Sequence, residues 1–524
     1  MDTDFEQRKE MSLIFYLPIC LIFSMGFLFP VVSLFVSGFK GFNLAFFSDP
    51  FFEHVVTFTY GQALVSSLLS VFLGLVVAFL IQEWKVVGGR FLWRFCLLCS
   101  SLPSIIVALG ILGAWGPGSI LGRIVFDQRT VFGWPGLLLG HVFLNFSIPM
   151  RLIGNALRER NRTSELTALS IGMNRWSVFW KITLPEVRTS VLSSWILTFL
   201  FCSTSLFIVL FLGGGPRFTT LEVSLYEAVK LNFDNGKAVQ IASLQALVGI
   251  GLYVVYLKAQ RPPRIKSPNL VPSIFVPRSF SSSMLGTVSL WVLIGALIGV
   301  PLVSILQDGG FLFSFLDSSE LWSAAVISLG IAGAVGLIAI VILYPLLHVL
   351  HHSQRSGRKQ ALLWLVVLPQ FFSSLVISLA ISIFYPGVRG TEMMAYLGIV
   401  LAQTLFVIPL IQFPLREGFY HYSLEREWTA QSLGASRWQR FLHVELPIMR
   451  RPLFLAVLIT VGYSLGEVST ILLFSPMGIR TLALGIFQSM SRYRFQEAHA
   501  ITVILLLVML IVFGVAGFLE DSDE

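Results

Sequence analysis

Long apolar runs alternate with short polar ones along the whole chain. Runs long enough to cross a bilayer, about 20 residues each, fall near residues 12–37, 55–82, 92–116, 134–157, 189–212 and 239–257. A second set falls near 284–306, 322–347, 361–385, 395–415, 452–474 and 499–519. Each run predicts a membrane-spanning helix, six and then six. The first is too long for a signal-peptide core and lacks a small-residue cleavage site, so it is expected to stay as a span.

The polar intervals repeat as well. Residues 165–185 read ELTALSIGMNRWSVFWKITLP, and 427–447 read EWTAQSLGASRWQRFLHVELP. Ten of the 21 positions are identical, and the copies start 262 residues apart, which is half of 524. The chain is therefore two copies of one unit. The fold class that follows is an all-α integral membrane protein, about 12 spans arranged as two parallel six-helix repeats. The repeats are expected over 1–257 and 284–524, with the duplicated polar segments at 163–185 and 425–447. Residues 258–283, carrying Pro262, Pro263, Pro268, Pro272 and Pro277 among serines and basic residues, read as an extended linker.

Each polar copy predicts a helix, a turn and a second helix. Glu165 and Ala168, like Glu427 and Ala430, lie three apart on one helix face. Gly172 and Gly434 permit the chain reversal. Asn174 and Ser436 are good N-caps, and Ser436 with Gln439 fits a capping box. Trp176 with Phe179, and Trp438 with Phe441, put an aromatic edge on each short helix. Pro185 and Pro447 are expected to stop that helix before the next span. A single copy reads equally well as an interfacial helix resting on lipid headgroups. Two copies, placed alike, favour an aromatic knob, rimmed by Arg175 or Arg437, in a partner's groove.

Composition agrees with the pattern. The chain is 55% hydrophobic and 12% charged, with a mean hydropathy of +0.81, which excludes an ordinary soluble domain. The net charge of +8 collects in short loops and not in a nucleic-acid patch. With both termini in the cytoplasm, 25 of the 36 Lys and Arg fall on the inner side and ten outside. Both polar segments then face the cytoplasm. Cys20, Cys96, Cys99 and Cys202 lie in apolar runs and read as small buried hydrophobes. His348, His351 and His352 are helically spaced but lack a carboxylate or cysteine motif, so they read as a polar cap and not a metal site. No catalytic constellation and no G-x-x-x-x-G-K-[ST] phosphate loop is present.

The spacing Glu-x-x-Ala, Gly seven residues after the Glu, then Phe and a terminal Leu-Pro resembles the loop motif of bacterial binding-protein-dependent ABC importer permeases. It is carried by Glu165, Ala168, Gly172, Phe179, Leu184 and Pro185, and again by Glu427, Ala430, Gly434, Phe441, Leu446 and Pro447. The family usually has a second Ala directly after the Glu; here Leu166 and Trp428 stand there. The resemblance implies a type I importer fold in the bacterial inner membrane. It implies that these loops are coupling helices docking two copies of a separate ATPase, which would bind ATP and Mg while this chain holds no cofactor. A periplasmic substrate-binding protein would deliver the solute.

For the substrate, residues 140–152, 212–229 and 480–500 resemble the thiamine permeases most, although LGGGP and TTLEV also resemble ferric-iron permeases. Thiamine is a flat aromatic cation, so its path should offer carboxylates and aromatic faces. Glu467 is the sole acid in the run 452–474, and an intramembrane carboxylate is a functional candidate. Its plainer reading is pairing with a helix dipole or with Ser464 or Ser469. Glu222, Glu227 and Asp234, with Tyr226 beside them, read as a solvated outer loop, or else as a gate to the path or a contact for the binding protein. Ferric iron would call for a tight cluster of hard oxygen ligands, and none is visible. A proton- or sodium-driven transporter is the rival class, but it gives no reason for a duplicated docking loop.

Overall fold

The computed structural model describes residues 20–40, 48–84, 86–100, 102–126, 131–160, 163–259, 280–307, 319–352, 356–422, 424–474 and 479–521. Most of the expected linker and the start of the first expected span lie outside them. The described residues form helices and no strands.

In the first repeat the helices that matter are α1 (Cys20–Phe39), α2 (Pro50–Trp84), α3 (Gly89–Ser100), α4 (Ser104–Trp115), α5 (Trp134–Asn145) and α6 (Ser147–Glu159). They are followed by α7 (Thr163–Ser170), α8 (Arg175–Val178), α9 (Leu184–Ser203), α10 (Phe207–Leu212), α11 (Leu221–Lys230) and α12 (Asn235–Ala259). The second repeat has α13 (Met284–Leu306), α14 (Ser319–His352), α15 (Ser356–Val367), α16 (Ser374–Phe384) and α17 (Glu392–His421). Then come α18 (Leu424–Ser432), α19 (Arg437–Arg440), α20 (Leu446–Gly466), α21 (Ser469–Phe474), α22 (Leu482–Ser491) and α23 (Phe495–Asp521).

Eight helical stretches among the described residues, with α5 and α6 counted as one, are long and apolar enough to span a membrane. They answer to eight of the twelve expected runs. The other four runs are broken helices. The run near 92–116 divides into α3 and α4, and that near 361–385 bends by 100° between Phe371 and Ser374. The run near 189–212 divides at Thr204, and that near 452–474 divides at Glu467. Pro103 and Pro369 lie at the first two breaks, where a missing N–H ends a helix at little cost. Of the expected outer loop around 222–234, the part up to Lys230 is a largely buried helix, α11, and only 231–234 are exposed.

The chain divides into two compact units, and neither is a continuous half. One comprises Met1–Asn43, Ser224–Leu247 and Gly309–Glu524. Here α1 lies on α16, and the Phe27 ring meets Phe372 edge-on at 5.0 Å. Helices α14, α17 and α20 form its core, and Gly418 allows α17 to approach Pro452 of α20. The other unit comprises Leu44–Val223 and Val248–Asp308. In it α2 packs on α6 and α9, and α13 packs on α4. Gly74 makes the first contact possible: a Cβ there would fall 2.6 Å from the Phe146 carbonyl oxygen. Ser304 of α13 donates to the Gly110 carbonyl at 2.9 Å. Cys96, Cys99 and Cys202 are buried as expected, whereas Cys20 is exposed.

Candidate functional site

In the first copy of the repeated segment, α7 ends in a Schellman turn. Gly172 takes φ +89°, and the Met173 N–H reaches back to the Ala168 carbonyl at 3.0 Å. The Asn174 side chain then caps α8 by accepting from the Ser177 N–H at 2.7 Å. The second copy repeats this geometry. Gly434 has φ +82°, and the Ala435 N–H donates to the Ala430 carbonyl at 3.0 Å. Ser436 and Gln439 close the expected capping box, with the Ser436 N–H donating to Gln439 Oε1 at 2.8 Å and the Gln439 N–H to Ser436 Oγ at 3.3 Å. The proline expectation needs correcting. Pro185 and Pro447 do not stop a helix: a π-helical turn, Phe179–Thr183 or Phe441–Glu445, runs straight into α9 or α20. Each proline sits in that helix's first turn, where its missing N–H costs little.

The expected aromatic edge divides into an inner and an outer ring. Phe179 meets Phe79 of α2 edge-on at 5.1 Å, and Phe441 meets Tyr344 of α14 at 6.4 Å. Trp176 and Trp438 point outward, 69% and 71% exposed. Two apolar tips that the sequence reading missed, Ile171 and Leu433, are also exposed, and they occupy equivalent places in the repeats. Beside the second tip, Ala430, Gly434, Ala435, Gln439 and His443 line an open groove of about 440 Å³.

Different chemistry fastens each segment to its own unit. In the first, the buried Arg160 bridges Glu83 of α2 at 2.8 Å and Glu165 of α7 at 2.9 Å, and Thr183 donates to the same Glu165 carboxylate. Burial disfavours the guanidinium charge, but Glu83 and Glu165 outweigh it and hold the pKa above its ordinary value. In the second, Tyr422 stands 262 residues on from Arg160, and Glu445 stands where Thr183 does. Glu445 accepts from Tyr344 at 2.6 Å and lies 3.7 Å from His348 Nδ1. Glu427 faces Arg440 at 3.9 Å and bonds Tyr422, whose hydroxyl pKa is raised by burial first and then by Glu427. His348 thus has a carboxylate neighbour the sequence reading lacked. No cluster able to hold a metal occurs among the described residues.

The structure does not gather Glu467, Glu222 and Tyr226 into one site. Glu467 sits at the break between α20 and α21, where its carboxylate accepts from the Thr470 N–H at 3.1 Å and the Tyr463 hydroxyl at 3.3 Å. Ser374, at the start of α16, also bonds it. Of the two serines suggested as partners, Ser469 contributes its backbone, while Ser464 turns to Gln403. Glu222 is buried in α11. Tyr226 meets Phe487 of α22 edge-on at 6.2 Å. Burial raises the pKa of Glu227, with Lys237 opposing, and Asp234 caps α12 through the Lys237 N–H at 3.0 Å.

The family described as binding-protein-dependent transport system inner membrane component matches residues 70–261 and again 353–522. The chain belongs to this family. Both matches contain one copy of the repeated segment. The permease is also similar over nearly its full length to curated proteins. The thiamine transport system permease protein ThiP of Escherichia coli is 29% identical over 488 residues, 90% of each chain. That of Haemophilus influenzae is 26% identical over 493 residues, 92% of this chain and 91% of the relative. A shorter match, 29% over 171 residues, is to the sulfate transport system permease protein CysW of Synechococcus elongatus, covering 32% of this chain and 59% of the relative. The permease is therefore an inner-membrane component that works with a binding protein and an ATPase.

Proposed function

We propose that this permease carries thiamine, or a phosphorylated form of it, across the bacterial inner membrane. The observation that carries the reading is the similarity to thiamine permeases over about nine-tenths of the chain, both repeats included. Glu467 supports it. The first repeat breaks the matching span with Ser205 at the equivalent place, so the break itself needs no carboxylate. A half-buried acid beside Tyr463 is suited to a flat organic cation. Glu222 and Tyr226 would line or gate the outer part of the path.

In this reading both termini lie in the cytoplasm, and two copies of a separate ATPase bind ATP and Mg. One docks on Trp176, Phe179 and the turn at Gly172; the other docks on Trp438, Phe441 and the turn at Gly434. Glu165, Ala168 and Pro185, with Glu427, Ala430 and Pro447, shape the two docking segments. Closure of the ATPases on ATP pushes these segments and, through Phe179 and Phe441, the spans behind them. The permease then alternates between inward-open and outward-open states.

Uptake of labelled thiamine, in cells lacking their own importer and supplied with this chain, its ATPase and its binding protein, tests the substrate. ATP-dependent uptake insensitive to excess ferric iron is expected. Accumulation of labelled iron without thiamine would overturn the substrate while leaving the architecture.

A further inference from the structure

Two residues other than glycine have positive φ among the described residues, Phe233 at 53° and Tyr493 at 59°. Both are aromatic, both are among the most exposed large side chains, at 78% and 82%, and both fall in the same turn of their repeat. Phe233 links α11 to α12, and Tyr493 links α22 to α23. Around them residues 231–236 and 491–496 are uniformly exposed. A left-handed backbone is unfavourable for a side chain of this kind. Backbone bonds close both turns, from the Asp234 N–H to the Ala228 carbonyl and from the Arg494 N–H to the Ser489 carbonyl, each 2.8 Å, but they need no ring; Tyr493 meets its turn neighbour Phe495 at 6.2 Å, and both rings stay open to solvent. A fold that holds two such rings in the same strained pose, once in each repeat, points to a use outside the chain.

Their side of the membrane follows from topology. From each docking segment the chain crosses once, through α9 and α10 or through α20 and α21, before it reaches these turns. The rings therefore lie on the face away from the ATPases. The helices that lead into them touch at equivalent residues, Tyr226, sixth in α11, and Phe487, sixth in α22, with ring centroids 6.2 Å apart. A partner that grips both rings would straddle this contact.

We propose that Phe233 and Tyr493 are a pair of knobs that receive the soluble substrate-binding protein, one knob per repeat. The inference rests on the binding-protein-dependent reading above and adds the surface. The facing protein should offer two apolar pockets. The pocket for Tyr493 should be edged with carboxylates, because Arg492 and Arg494 flank that ring. Glu497 answers only part of this charge, from 3.3 Å. A lipid surface is the other occupant an exposed ring can have, but the polar neighbours Asn232, Asp234, Asn235, Ser491, Arg492 and Arg494 favour a protein. Docking on both knobs would act on α11 and α22 together, and so on the Tyr226–Phe487 contact between them.

Glycine variants test this without unfolding the turn, because glycine adopts positive φ freely. Phe233→Gly, Tyr493→Gly and the double variant would be assembled with the ATPase in lipid nanodiscs, and ATP hydrolysis measured as binding protein is added. In the double variant the binding-protein concentration giving half-maximal stimulation is expected to rise about tenfold or more. Basal hydrolysis and melting temperature should hold, and Phe233→Tyr with Tyr493→Phe should behave as native. Unchanged stimulation in the double glycine variant would overturn the proposal. So would an equal loss of basal hydrolysis, which would assign the rings to lipid or to folding. A native complex indifferent to any binding protein would instead defeat the importer reading, and a photo-crosslinker at 233 and 493 would then judge the knobs directly by whether it captures that protein.

Discussion

At the scale of single residues, the turns in the two repeated segments depend on Gly172 and Gly434. Both lie at positive φ, and a Cβ at either would meet open space. The cost of replacing them is therefore conformational and not steric. Gly434→Val should destabilise the turn by about 1–2 kcal/mol and misplace Leu433 and Trp438. Gly434→Asn, which tolerates the left-handed region, should retain most activity. Thiamine uptake per ATP hydrolysed is the quantity to measure; normal transport by the valine variant would count against the coupling role. These glycines and the Ser436–Gln439 box were legible in the sequence because turn and cap chemistry is local. The Arg160–Glu83 bridge was not, because its partners stand 77 residues apart and only the folded chain brings them together. Trp176 and Phe179 look alike in sequence, and only the helix behind them decides which faces in.

At the scale of elements, hydropathy revealed all the apolar runs but not which of them break. A two-residue interruption barely changes the average over 20 residues, although Pro103, Pro369 and Glu467 were the local signs of it. Helix approach is another property hidden from a composition profile. Gly74 of α2 and Gly336 of α14 are equivalent in the repeat, yet their surroundings differ. A Cβ at Gly74 would meet the Phe146 carbonyl at 2.6 Å and the Met150 nitrogen at 2.7 Å, whereas at Gly336 the nearest atom is Thr460 Cγ2 at 3.4 Å. Backbone cannot yield as a flexible side chain can. Gly74→Ala should thus cost about 1–3 kcal/mol and lower the amount of folded permease, while Gly336→Ala should be near neutral. Thermal unfolding in detergent would separate them, and equal melting temperatures would contradict the close α2–α6 contact.

At the scale of the whole molecule, the sequence shows two repeats while the packing shows two units of different composition. Helix α1 belongs with the second repeat's body, and α13 with the first repeat's. No pattern within a run carries this, because the contacts join residues hundreds of positions apart. In the proposed reading, both docking segments belong to one covalent chain, so one permease chain would serve two ATPases. Each segment would then receive one ATPase. Native mass spectrometry of the intact complex from lipid nanodiscs measures this composition. One permease chain with two ATPase copies is the expected composition. A complex holding a single ATPase, or two permease chains for two ATPases, would contradict it.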